Sequence, residues 1–217
     1  MALIVNEIFL SLQGETTAAG FPSLFIRMTG CNLRCSFCDT DYAWEEGQAM
    51  TVEEIVERAL QHRWVHHITL TGGEPLAQKE TASLAERLIR EGFRVRVETN
   101  GSLPIDALPE GCERIVDVKP PSSGEGKSFL DKNILSLTER DEVKFVVADD
   151  ADFEFAARFC EEKLAGTKAV INISPVFGSM EGDRLASLIL ERKLNARLNL
   201  QLHKILWPKG EPRGSGN

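Results

Sequence analysis

The sequence predicts an α/β protein built on a parallel (β/α) barrel that is incomplete and splayed, with about six core strands and few long helices. Three observations carry this. Past residue 20, short apolar runs alternate with amphipathic helical segments, the pattern of strands joined by crossover helices. The chemically unusual residues fall at the C-terminal ends of the runs, where the loops of a parallel barrel converge. Finally, 217 residues fall short of the roughly 250 of a complete eightfold barrel.

Taken in order, an apolar run near 3–10 comes first. Strands are then expected near 23–29 (SLFIRMT), 67–71 (HITLT), 94–99 (RVRVET), 114–118 (RIVDV), 142–148 (EVKFVVA), 169–174 (AVINIS) and 197–203 (RLNLQLH). Thr51 opens the helical segment TVEEIVERAL with Glu54 three residues on, a capping-box spacing that turns Val52, Ile55, Val56 and Leu60 toward one face. ETASLAERLIREG stops at Gly92 and DADFEFAARFCEEKLAG at Gly166, each suited to the left-handed turn after a helix. GDRLASLILERKL supplies a last helix. The stretch 120–137 begins with Pro, Ser and Gly and reads as a loop with at most one helical turn. With no internal repeat and no linker, one domain over 1–217 is expected, with 1–22 as an N-terminal segment and 204–217 as a tail.

Composition narrows the class. The chain is 42% hydrophobic and 27% charged with a net charge of -8, an ordinary globular balance. Nucleic-acid binding through phosphate contacts would lean basic, so no nucleic-acid partner is expected. The N-terminus MALIVNEIFLSLQGE has no basic n-region, and Asn6 and Glu7 break its apolar residues, so no signal peptide is read. No stretch approaches the roughly 18 uninterrupted apolar residues of a membrane span. Five cysteines is an odd number, with Cys112 and Cys160 isolated, which argues against a secreted disulfide framework and for a reducing cytoplasm.

Cys31, Cys35 and Cys38, in GCNLRCSFCDT, stand at C-x3-C-x2-C spacing with no fourth ligand nearby. Structural zinc closes its shell with a fourth Cys or His, and His62, His66, His67 and His203 are poorly placed to supply one. A [4Fe–4S] cube takes three cysteines on three different irons and leaves the fourth iron open. Other motifs have an ordinary reading beside the functional one. The glycines of TGGEP at 71–75 can be a simple turn. Glu98, Asp117 to Lys119 and Ser174 to Val176 can be strand-end caps. Gln13 and Glu15 can be a solvated turn, and His203 a hydrogen-bonded interior histidine. Arg27 interrupts an apolar strand, so it is either an internal ion pair or a ligand group, since an unpaired buried charge is too costly.

With these motifs the chain resembles the radical S-adenosylmethionine (radical SAM) enzymes. The resemblance implies that Cys31, Cys35 and Cys38 hold a [4Fe–4S] cluster whose open iron takes the amino and carboxylate groups of S-adenosylmethionine. It implies cofactor contacts at Phe37, Cys38, Asp39, Gly72, Gly73, Glu74, Glu98, Asp117, Val118, Lys119, Ser174, Pro175 and Val176. The segment EIFLSLQGETTAAGFPSLFIRMTGCNLRCSFCDT and the closing LQLHK are similar, within that family, to the lyases that contract the ring of 6-carboxy-5,6,7,8-tetrahydropterin to 7-carboxy-7-deazaguanine with loss of ammonia. These serve queuosine and 7-deazapurine biosynthesis. That closer resemblance implies pterin contacts at Leu12, Gln13, Gly14, Glu15, Arg27, Thr71, His203 and Asn217, and a Mg2+ ion on the Thr40 hydroxyl. It also implies a flavodoxin- or ferredoxin-type electron donor and a homodimer. The chain departs from the family by running on through ILWPKGEPRGSGN, which leaves Asn217 far from His203 in sequence. The competing readings are a glycyl-radical-enzyme activating enzyme, for which SLQGE has no task, and a non-catalytic zinc or iron–sulfur module, for which TGGEP has none.

Overall fold

The computed structural model describes residues 2–208. Six parallel strands form its centre: β2 (Pro22–Met28), β4 (His67–Gly72), β5 (Arg94–Thr99), β6 (Glu113–Asp117), β7 (Glu142–Val147) and β8 (Val170–Pro175). They pair side by side in that order. Upstream of β2, β1 (Ala2–Leu12) adds antiparallel, and β3 (Gln48–Thr51) pairs antiparallel with β1. β9 (Arg197–Leu198) adds parallel to β8, so the sheet runs β3-β1-β2-β4-β5-β6-β7-β8-β9 with its ends unjoined. The splayed barrel with six core strands is therefore what forms.

Helices α1 (Val52–Leu60), α2 (Thr81–Arg90), α3 (Asp150–Lys163) and α4 (Gly182–Arg192) lie between strands, and α5 (Leu202–Leu206) follows β9. The capping box at Thr51 is made in full: its hydroxyl accepts the Glu54 N–H and the Glu54 carboxylate accepts the Thr51 N–H. Ile55, Leu84 and Leu88 pack with Ile68, Leu70, Val95 and Val97 in one apolar cluster, and Phe153, Ala156 and Leu185 pack with Val143, Phe145 and Ile173 in a second. No helix among the described residues is long and apolar enough to cross a membrane.

The other face of the same strands decides function. Successive side chains on a strand point to opposite sides, and here the apolar ones face the helices. Thr69, Thr71, Arg96, Glu142, Lys144, Asn172 and Ser174 alternate with them and are buried as well. A parallel strand covered on both faces is usually apolar throughout. Of these polar residues, Thr71 and Lys144 line the cavity at the strand ends, and the others bond to neighbouring side chains of the interior.

Two expectations need correction. RLNLQLH alternates like a strand, yet only Arg197 and Leu198 pair with β8. The Asn199 N–H still donates to the Ile173 carbonyl, but the Leu202 N–H goes to the Gly14 carbonyl at 2.8 Å, which draws the chain off the sheet into α5. The stretch 120–137 holds two 3-10 segments, Pro121–Ser123 and Asp131–Ser136, where at most one turn was expected. β3 and the 3-10 turn Asp41–Trp44 have too few residues to show a period in the sequence.

Candidate active site

The C-terminal ends of the parallel strands open into a cavity of about 1100 Å³. The loop after β2 carries the three cysteines, and all three thiols are free, half-buried and on the cavity wall. The Leu33 N–H donates to Cys31 Sγ at 3.4 Å and the Asn100 amide at 3.8 Å. Burial pushes the Cys35 and Cys38 thiols up, and the neighbouring cysteines add to this. Thiolates in such a place need positive charge beside them, as a bound metal supplies. A cube spreads its thiolates over separate irons, and N–H donors to sulfur are part of its usual setting. The donor set therefore fits a [4Fe–4S] cluster.

The glycines of TGGEP are explained by the chain itself. Gly72 has φ +138, and a Cβ there would lie 2.1 Å from the Met28 carbonyl oxygen. A Cβ on Gly73 would lie 2.0 Å from the Gly30 carbonyl oxygen and 2.9 Å from Cys31 Cβ. The pair lets β4 end flush against the cysteine loop, and both glycines line the cavity. Glu74 does not reach it. Fully buried, it accepts from the Leu76 N–H, the Thr99 hydroxyl and the Asn100 N–H, which ties the ends of β4 and β5 together.

Lys144 stands at the centre of the floor. Its ammonium lies 2.7 Å from Glu15 Oε2 and 3.6 Å from Asp117 Oδ2, and Lys119 closes on Asp117 at 2.9 Å. Burial works against the Lys144 charge, but Asp117, Glu15 and Glu98 outweigh it and hold its pKa well above that of an ordinary lysine. Burial would likewise raise Glu15, yet the Lys144 charge and the hydrogen bonds from Lys144 and Gln201 keep it below the usual value. Glu98 is pushed up by burial, with Gln13 and Thr71 donating to it at 3.1 Å. Gln13 and Glu15 are thus interior, not a solvated turn.

The N- and C-terminal motifs meet over this floor. The Gln201 amide donates to Glu15 Oε1 at 2.6 Å. A Cβ on Gly14 would lie 2.0 Å from His203 Nδ1, so the imidazole rests directly on the Gly14 backbone. Thr16, next to Glu15, has φ 66, a left-handed conformation that costs a β-branched residue about 1–3 kcal/mol. On the opposite wall, Arg27 gives Nε to Glu7 at 2.7 Å beneath the Phe9 and Tyr42 rings, so it is an ion pair at the cavity surface. The Thr40 hydroxyl donates to Asp39 Oδ1 at 3.0 Å, and Asp39 pairs with Lys204 at 3.2 Å.

Leu12, Phe37, Thr71, Asp117, Lys119 and Val176 also line the cavity, whereas Val118, Ser174 and Pro175 do not. Val118 is buried, and Ser174 accepts from the Asn199 amide behind the wall. Asn217 lies outside the described residues. Sequence reasoning passed over Lys144, Gln201 and Asn100. A charged residue inside the apolar run EVKFVVA is the same signal that singled out Arg27 and could have found Lys144.

Comparison with known proteins agrees with this arrangement. Residues 25–121 match the family described as the Radical SAM superfamily. The chain is 48% identical over 204 residues to the 7-carboxy-7-deazaguanine synthase of Methanospirillum hungatei, covering 93% of this chain and 84% of that one. It is 40% identical to that of Koribacter versatilis, over 94% of this chain and 96% of the relative. Among solved structures it is similar to QueE from Escherichia coli, with TM-score 0.79, 25% identity, and 94% and 95% of the two chains covered. An open parallel sheet, a three-cysteine loop at its mouth and relatives of this identity over nearly the whole length agree: the chain belongs to the 7-carboxy-7-deazaguanine synthase family of radical SAM proteins.

Proposed function

We propose that the protein is a radical SAM carbon–nitrogen lyase that converts 6-carboxy-5,6,7,8-tetrahydropterin to 7-carboxy-7-deazaguanine. The observation that carries this is the single cavity shared by the three-cysteine loop and the Gly14–Glu15–His203 junction, with relatives of that name at up to 48% identity. When bound, the cluster and S-adenosylmethionine supply the 5'-deoxyadenosyl radical that takes a hydrogen atom from substrate.

The chain's own residues hold and orient. Cys31, Cys35 and Cys38 would hold the cluster through three of its four irons. Phe37 to Asp39, Gly72 and Gly73, and the strand-end residues Asp117, Lys119 and Val176 surround the cofactor. Glu74, Val118, Ser174 and Pro175 serve it from behind the wall by fixing the strand ends. Leu12 to Glu15, Thr71, Glu98 and His203 surround the pterin. Arg27 presents a planar guanidinium whose Nε is already taken by Glu7, so a substrate carboxylate would meet its terminal nitrogens. Asn217 belongs to the same substrate set in this reading. For Mg2+ the support is the Thr40 hydroxyl on the cavity wall, with substrate and water as the remaining oxygen ligands of a hard ion.

The reading also includes one domain over the whole chain, a homodimer, a flavodoxin- or ferredoxin-type donor and a cytoplasmic location, the last supported by five free thiols. Anaerobic incubation with S-adenosylmethionine, dithionite, Mg2+ and the carboxytetrahydropterin tests it. The deazaguanine product should appear by mass together with 5'-deoxyadenosine. Cofactor cleavage with the pterin returned unchanged would overturn the assignment.

A further inference from the structure

Among the described residues, two that are not glycine have positive φ: Thr16 and Lys193. Lys193 is the ordinary left-handed end of α4. Thr16 is different, since it is β-branched, fully buried and placed between two residues whose side chains part company. Before it, Glu15 reaches Lys144 and Gln201 in the cavity. After it, the Thr17 N–H and hydroxyl both go to Glu142 on the inner face of β7, at 3.1 and 2.6 Å. Glu142 and Lys144 lie two residues apart on the same face of β7, so the turn at Thr16 sits between two anchors on one strand.

Arg197, on β9, grips this turn from the far end of the chain. Its Nη1 lies 2.8 Å from the Thr16 carbonyl oxygen, and the Asn172 and Asn199 side-chain oxygens hold the same nitrogen at 3.0 and 2.9 Å. A guanidinium donating to a carbonyl makes a stronger bond than a neutral donor does. Thr16 itself is otherwise bonded locally, its hydroxyl accepting the Ala18 N–H at 3.2 Å and its carbonyl the Ala19 N–H at 3.3 Å, while its neighbours Glu15 and Thr17 are tied to Lys144 and Glu142 on β7.

We infer that Arg197 is a positioning residue for pterin binding: it holds Thr16 in the left-handed conformation that turns Glu15 into the cavity. The inference rests on the functional reading above.

The test uses the anaerobically reconstituted holoenzyme with S-adenosylmethionine and no reductant, and the ligand is 6-carboxytetrahydropterin itself. Arg197→Met should weaken pterin binding about tenfold, the scale of one lost hydrogen bond. In a separate assay with dithionite added and pterin absent, reductive S-adenosylmethionine cleavage should stay unchanged. Thr16→Asn keeps a side-chain acceptor and adopts the left-handed conformation readily, so combined with Arg197→Met it should restore most of the lost affinity. Arg197→Met binding within about twofold of wild type, well under the value of a hydrogen bond, or a double variant no tighter than Arg197→Met, would overturn the inference. Hydrogen–deuterium exchange gives a reading free of pterin. Amides of residues 15–19 should exchange faster in Arg197→Met and in the milder Arg197→Lys, and unchanged exchange in both sinks the idea even if wild type binds no pterin. If the variants show this exchange pattern but wild type fails to bind pterin, Arg197 stands as the holder of the turn and the substrate assignment is rejected instead.

Discussion

His203 lies on the bare backbone of Gly14, with Nδ1, Cγ and Cβ within 2.0, 2.8 and 3.1 Å of where a side-chain carbon on Gly14 would begin. Contact from Cβ outward means the whole of α5 would have to move, not one ring. Gly14→Ala should therefore lift His203 and Gln201 away from the floor and raise the pterin KM about tenfold or more, the value of one or two hydrogen bonds. Cofactor cleavage without pterin should fall less than pterin turnover, since α5 meets the cysteine loop at its edge, through the Lys204–Asp39 pair. Measured KM, kcat and uncoupled cleavage separate this from general damage, in which all three would fall together.

Removing the Lys144 ammonium should cost most at neutral pH. Lys144→Gln strands Glu15, whose carboxyl Lys144 holds below its usual pKa against burial, while Asp117 keeps its closer partner Lys119; breaking the buried Glu15 pair should cost about 3–5 kcal/mol. In wild type the depressed carboxylates contribute stability that is present above the unfolded carboxylate range and lost as pH falls through their folded pKa values. In the variant, burial raises Glu15, so it takes up a proton early and the penalty shrinks on acidification. Thermal unfolding of the two proteins from pH 8 down to pH 5 should show the difference in Tm narrowing; a constant difference would mean that Lys144 acts through packing alone.

The five cysteines should divide three against two. Cys31→Ala, Cys35→Ala or Cys38→Ala should each lose the cluster and all cofactor cleavage. Cys112 and Cys160 sit in the two apolar clusters, where burial pushes each thiol up to about 12. Neither forms a thiolate at neutral pH, and Cys112→Ala and Cys160→Ala should keep full iron content. Iron and sulfide assays with the absorbance of the reconstituted protein check this directly.

Thr40 separates the pocket from the cluster. Thr40→Ala should retain iron and bind S-adenosylmethionine, yet turn over slowly and lose most of its response to added Mg2+, whereas Thr40→Ser should recover much of both. Its hydroxyl already donates to Asp39, so a purely structural role predicts equal loss with and without magnesium. Initial rates across a Mg2+ titration distinguish the two, and parallel stimulation in wild type and Thr40→Ala would remove Thr40 from the metal site.

What the sequence determined by itself is local. Six strands, four helices, the Thr51 cap and the glycine stops at Gly92 and Gly166 follow from periodicity and backbone chemistry within a dozen residues. The cysteine spacing pointed to the cluster for the same reason, because the three proposed ligands lie on one loop. Tertiary structure decided everything that joins distant segments. Lys144 meets Glu15 across 129 positions, Arg197 meets Thr16 across 181, and Gln201 meets Glu15 across 186. No periodicity encodes such pairs, since each arises only when the sheet curls and brings its inner face around the loop after β1. For the same reason RLNLQLH failed as a strand: its alternation was genuine, but the Gly14 carbonyl offered Leu202 a hydrogen bond that β8 did not.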